Sequence, residues 1–302
     1  MDPKALDFLK TKLPKHKKVT EESVRPVWTP DHMKCLFSSP LWTGGGGHLR
    51  RLDERSGTDV WHDAAYWLPI LLYYTHASLN EVAGLRVDEV YLDDPVPNLK
   101  IDDNDLRAEG GVPGGTKNEH RRRRIPLHGE ILRLGFGDYV KAIRAEGNEA
   151  LFPELFLNEA RIGGHQFRNI AWRHMVAWIG LHMSIPSNEK TGKIADMQSI
   201  RALGSSHYAE SHAPDMVRAD VMGHARTGTN AKHYSKRIKS HGLYQVLAEY
   251  LAYMTEFVII ATDHLKPHAV RLLPINRSCP SMWCKIGCGQ RAAFSGGLGC
   301  NL

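Results

Sequence analysis

Residues 60–76 are apolar on nearly every side, from Val60 through Trp67, Ile70, Leu71 and Tyr74. That pattern belongs to a helix buried all round rather than to an amphipathic surface helix. A shorter helix is predicted over Leu79–Leu85. The rhythm then changes to short runs, Val87–Leu92, Asn98–Ile101 and Arg121–Leu127, parted by Asp, Pro and Gly. Such runs predict three strands of a small antiparallel sheet. Helical spacing returns over about 129–145, 163–181, 197–211, 214–222 and 236–256. Upstream, Thr29-Pro30-Asp31 is a helix start: a capping hydroxyl, a proline in the first turn and an acid. It opens a helix through Met33, Leu36 and Phe37. Residues 38–60 read as a loop. Its Gly44–Gly47 run lacks a following G-K-[ST], so a flexible turn fits better than a phosphate cradle. The fold class expected is mainly α with a small three-stranded antiparallel sheet, an α+β arrangement.

Composition narrows the classes. The chain has 302 residues, 42% hydrophobic and 24% charged, which is ordinary for a globular protein. No run of 18 apolar residues occurs, so no membrane span is expected. The first 26 residues carry Lys4, Lys10, Lys12, Lys15, Lys17 and Lys18 without an apolar stretch. They read as a basic leader rather than a signal peptide, and a cytoplasmic location follows. A net charge of +6 suits a chain that meets a polyanion. Cys279, Cys284, Cys288 and Cys300 match no zinc spacing and have no histidine among them, so no metal is expected there. Beyond about 257 the helical period fades, and 257–302 reads as a poorly ordered tail.

Candidate chemistry gathers in Val221-Met-Gly-His-Ala-Arg-Thr-Gly-Thr-Asn-Ala-Lys-His-Tyr234. Tyr234 follows His224 by ten positions, across small and polar residues. So soft a setting is unusual for a packed tyrosine and suits a nucleophile whose ring must reach a phosphate. Arg201, in Gln198-Ser-Ile-Arg201, precedes His224 by 23 positions. Arginine and histidine are suited to clamp and hydrogen-bond a phosphate. Arg121, Arg122, Arg123 and Arg124 form the most basic run. On a strand, alternate arginines face opposite sides, so at most two reach one DNA backbone; a charged, solvated edge strand is an equal reading.

These residues resemble the tyrosine recombinase, or phage integrase, family. The family carries H-x-x-R on one helix, L-G-H at the end of a later one, and a nucleophilic tyrosine about ten residues on. The same order of blocks runs from about Trp28 to Lys239. They are Val27-Trp-Thr-Pro-Asp31, Trp67-Leu-Pro-Ile-Leu-Leu-Tyr-Tyr-Thr75, Leu79-Asn-Glu-Val-Ala-Gly-Leu-Arg-Val87, and Thr116-Lys117 leading to Arg124-Ile-Pro-Leu-His128. The resemblance implies a catalytic domain over 27–256 and site-specific DNA cleavage and rejoining through a 3′-phosphotyrosyl intermediate. It makes Tyr234 the nucleophile, Arg201 and His224 the phosphate ligands, and Lys117 the acid that protonates the leaving 5′ oxygen. Double-stranded DNA is the implied partner, with copies assembling on it. Neither cofactor nor small-molecule substrate is implied.

Three departures from the family accompany the resemblance. Ser78 stands where the family places its first phosphate-clamping arginine, within Thr75-His-Ala-Ser78-Leu-Asn-Glu81. Gln198 replaces the H-x-x-R histidine and cannot carry a proton. His165-Gln-Phe-Arg168 spells H-x-x-R literally, but Arg168 lies 56 positions before His224, beyond the family distance. The 26-residue leader is too short for the N-terminal DNA-clamping domain of the family. The resulting expectation is an impaired recombinase, with a non-cleaving DNA-binding relic or regulator of a mobile element as the alternative. Arg86 is the nearest candidate to replace the charge missing at 78, although the direction of the helix argues against it.

Overall fold

The computed structural model describes residues 24–48, 51–52, 57–107, 122–157, 162–224, 233–258 and 260–273, with backbone alone for 233–236 and 257–258. It is mostly helical, with a small three-stranded antiparallel sheet. At the centre lies α3 (Ala64–Thr75), after α1 (Pro30–Phe37) and α2 (Pro40–Thr43); every residue of α3 is buried. The predicted start at 60 moves to 64 because Asp63 caps the helix, accepting from Ala65 N at 3.0 Å and Tyr66 N at 3.2 Å. Thr29 caps α1 as its sequence requires, with His32 N donating to its Oγ1 at 3.4 Å. The stretch read as a loop over 38–60 contains α2 and a bridge between Gly45 and Asp59.

After α4 (Leu79–Ala83) come β1 (Val90–Tyr91), β2 (Asn98–Ile101) and β3 (Arg123–Pro126), in the order β1-β2-β3. Leu99 pairs with both Val90 and Ile125, placing an apolar row on the inner face. The predicted first strand is shorter than expected because Val87–Glu89 forms a 3₁₀ turn. Two predicted helices are each broken in two by a glycine with left-handed φ. Gly135 (φ 94°) separates α5 (Gly129–Arg133) from α6 (Phe136–Ala145). Gly242 (φ 83°) separates α11 (His233–His241) from α12 (Leu243–Val258). The intervening helices are α7 (Gly163–Phe167), joined by a π-helical turn at Arg168–Trp172 to α8 (Arg173–His182), then α9 (Met197–Glu210) and α10 (Asp215–Met222).

Residues 260–273, assigned by sequence to the tail, pack on this core. Ala261, Leu265 and Leu273 are buried, and the Thr262 hydroxyl bonds the Tyr74 phenol. His62 N donates to Arg271 O at 2.9 Å, and Arg271 pairs with Asp59. No apolar period announced this segment because it crosses the core as a strap, inserting single side chains rather than a helical face.

A second buried centre ties the start of α3 to the turn at Pro153–Phe156. Arg51 grips Asp63 with two bonds of 2.7 Å, while Glu154 Oε1 accepts from Ala64 N at 2.5 Å. Two buried carboxylates thus meet at one helix N-terminus, and Asp63 alone of them is paired with the guanidinium. Burial, and then the Asp63 charge, raise the Glu154 pKa from 4.5 to about 8. The folded chain retains a proton that the unfolded chain releases, so this group favours folding at low pH and loses that contribution as pH rises through about 8. Glu154→Gln keeps the acceptor and removes the titration. Its melting temperature relative to wild type should climb between about pH 5 and 8 in thermal melts; a flat difference would refute the assignment. Truncation after residue 258 should cost about 3 kcal/mol or more in denaturant titrations, since Leu265 and Leu273 lose their burial.

Candidate phosphate-binding site

Four elements converge on one buried carboxylate. The first turn of α4 supplies Glu81, held by an S-x-x-E cap in which Ser78 N donates to Glu81 Oε2 at 2.7 Å. From β3, Arg123 reaches inward with Nη1 on Oε1 at 2.9 Å and Nη2 on Oε2 at 3.1 Å. Arg201, on α9, brings Nη1 to 3.8 Å from Oε2. Glu81 is 4% exposed and Arg123 is also 4% exposed, so their pairing takes place away from water. Burial alone would raise the Glu81 pKa; the Arg123 charge and hydrogen bonds outweigh it and bring it down to about 2. Glu81 therefore stays ionised.

The end of α10 completes the cluster. Gly223 takes the left-handed conformation that stops the helix (φ 64°), and His224 N returns to Ala219 O at 2.9 Å. A Cβ at 223 would lie 2.6 Å from Arg123 Nη1, so both the conformation and the contact demand glycine. Arg123 Nε donates to Val221 O at 2.7 Å. Arg201 donates to His76 O at 3.1 Å and to Met222 O, which aims its guanidinium at the Gly223-His224 corner. His224 is exposed. Packing around its ring, and then Arg201, Arg123 and Arg218, lower its pKa, keeping the imidazole neutral. Two guanidinium charges against one carboxylate leave the cluster net positive.

The sequence-chosen residues fall out unevenly. Arg201 and His224 are brought together. Gln198 is half-buried one turn before Arg201 on α9. Ser78 caps α4 beside the carboxylate; its Oγ is buried and has no hydrogen-bond partner among the described residues. Tyr234 lies in the first turn of α11, so its backbone is helical rather than part of the polar connecting segment. That helix is anchored through Arg237 to Glu249 of α12, and α12 through Tyr250 to Asp220 of α10 (2.5 Å). Lys117, Arg121 and residues 225–232 lie outside the described residues.

Two expectations need correction. Arg123, grouped with the DNA-contacting arginines, is consumed by Glu81 and Val221 O and cannot present its guanidinium to a DNA backbone. Arg124 turns to the face opposite Arg123, half-buried, paired with Asp94 at 3.1 Å and 3.8 Å over the Tyr91 ring, while exposed Arg122 pairs with Asp103. Arg86 offers no replacement charge for position 78, being engaged by Asp105 at 3.0 Å, Glu149 at 3.1 Å and Asp88 at 3.6 Å. Glu81 and Arg123 were not singled out from sequence as a pair. The S-x-x-E spelling marks Glu81 as a cap, but only the fold brings Arg123 to it. Among the described residues, no group of three or more His, Cys, Asp or Glu is placed to hold a metal ion, and no helix is long and apolar enough to cross a membrane.

Arg123→Met would strand a buried carboxylate and should cost about 3–5 kcal/mol in denaturant unfolding. Glu81→Gln combined with Arg123→Met should cost clearly less than the two single changes summed; strict additivity would show that the pair is not the unit. In comparisons with known proteins, no family model matches the chain, and no curated protein matches it.

Proposed function

We propose that the chain is a tyrosine-recombinase-type protein that engages double-stranded DNA and cleaves and rejoins it through Tyr234, with impaired activity. The observation that carries the reading is the convergence of Arg201 and His224 on one net-positive corner, ten residues ahead of a tyrosine at the start of the next helix. A diester phosphate is a monoanion, and it matches that surplus charge. Arg201 binds its non-bridging oxygens and the neutral His224 imidazole donates a hydrogen bond, easing charge build-up at phosphorus. The Tyr234 phenol oxygen bonds to phosphorus as the bond to the 5′ oxygen breaks, the phenol proton passing to water. Lys117 gives its proton to that 5′ oxygen, leaving a free hydroxyl and a 3′-phosphotyrosyl link. Rejoining reverses these steps, so neither a cofactor nor a metal enters.

Ser78 and Gln198 favour a second reading, a DNA-binding protein or regulator that does not cleave. A buried hydroxyl at 78 supplies no positive charge, and loss of one such contact lowers rates by about 10²–10³. Covalent trapping on nicked duplex taken from sequence flanking the gene separates the two. The first reading expects a slow denaturant-resistant adduct, lost in Tyr234→Phe and increased in Ser78→Arg with Gln198→His. Absence of an adduct from both native and repaired protein, with duplex binding retained, would overturn cleavage and leave the second reading.

A further inference from the structure

The segment from 162 to 182 contains no aspartate or glutamate, although it includes two arginines and three histidines. It forms one continuous run, α7, the π turn and α8. Gln166, Phe167, Ala171, Trp172, Met175 and Ile179 are buried, so the run lies flat on the core. Its opposite face exposes His165, Arg168, Asn169 and Arg173. His165, Asn169 and Arg173 follow at four-residue steps, with Arg168 beside them, so they form one stripe. Local partners are neutral: Asn169 Nδ2 lies 3.3 Å from His165 Nδ1, and Arg173 Nε donates to His174 Nε2 at 3.2 Å. No acidic side chain pairs with Arg168 or Arg173 among the described residues. The acids gather instead in an open groove lined by Asp88, Glu89, Asp102, Asp103 and Asp105.

The stripe also has a defined place. A Cβ at Gly164 would lie 2.0 Å from Asn80 Oδ1 and 3.1 Å from Leu79 Cγ. The start of α7 therefore rests on the first turn of α4, the turn that holds Ser78 and Glu81. Beyond Arg173 the exposed positions are the small Ala177 and Gly180, followed by Leu181 and His182 at the end of α8.

We infer that the α7–α8 stripe is a second phosphate-backbone contact for double-stranded DNA, carried on the run that packs against the first turn of α4. This inference rests on the DNA reading above but not on cleavage. Arg168 and Arg173 supply the charge, His165 and Asn169 supply hydrogen bonds, and the literal H-x-x-R of the sequence acts in binding rather than in strand transfer. Contacts of this kind are blind to base sequence and weaken with salt.

The test is fluorescence anisotropy of the full chain on a labelled mixed-sequence duplex, over about 50–200 mM salt. Arg168→Gln with Arg173→Gln is compared with Lys141→Gln, a charge removed from an exposed site on α6. Both sites are exposed, and unchanged thermal melts would exclude misfolding. The double variant should bind on the order of tenfold more weakly and flatten the log–log salt slope by about 2, while Lys141→Gln stays near wild type. Equal loss in both would reduce the effect to net charge and overturn the inference. So would failure of wild type to bind duplex, or binding to phosphatidylserine vesicles or polyglutamate that depends on the stripe while duplex binding does not. Adduct formation on nicked duplex is scored separately. An adduct with unchanged duplex affinity in the double variant sinks the stripe alone. Weakened duplex binding with no adduct from native or repaired protein sinks cleavage alone.

Discussion

A carboxylate removed from water and claimed by two guanidiniums is the constraint on which this fold turns. Glu81 cannot be buried ionised without Arg123, and Arg123 cannot leave solvent without Glu81 and the Val221 carbonyl. Satisfying both forces helix α4, strand β3 and the end of α10 to meet at one point. Arg201 then finds its place by default, because the carbonyls of His76 and Met222 become available at that junction. The corner that presents His224 is thus an outcome of charge satisfaction in the interior, with Arg201 alone of the three charged groups partly exposed.

The all-buried α3 plays the complementary part. It offers no polar face, so its ends carry the electrostatic work: Asp63 and Glu154 at the start, and the left-handed His76 at the finish. Burial, with nearby His207 and Arg201, pushes the His76 pKa down to about 3, so the ring that packs against Tyr208 stays neutral. Polar chemistry is confined to the two ends of an apolar rod, one end meeting Arg51 and Glu154 and the other opening on the Arg201–His224 corner.

Much of this was legible in the chain. Thr29-Pro-Asp and the apolar run around Trp67 announced their helices because the signals are local: a cap, a fixed proline φ and a period. Element boundaries were less legible. Whether Gly135 and Gly242 break a helix depends on left-handed turns that the flanking residues also permit to run straight. At the site, the resemblance grouped Arg201 with His224, and the fold sets the Arg201 guanidinium on the carbonyl of Met222, two positions before His224. The inward turn of Arg123 did not show, since alternation along a strand says that neighbours face apart but not which of them meets a carboxylate 42 positions away. The packed strap at 260–273 stayed hidden for a related reason: its anchors are single residues matched to Tyr74, His62 and Asp59, and no internal rhythm encodes such matches.

The π turn at Arg168–Trp172 makes the length of that helix a variable in its own right. A π turn carries one residue more than the ordinary helical turn it replaces. Deleting a single residue there would restore the regular pitch while leaving α8 turned to the core as before. Met175 and Ile179 would keep their places in the core, and only the turn itself would be rebuilt. The same deletion inside α8 would turn every residue beyond it by about 100°, so the π turn is the one place in this run where the count of residues can change without re-facing the rest.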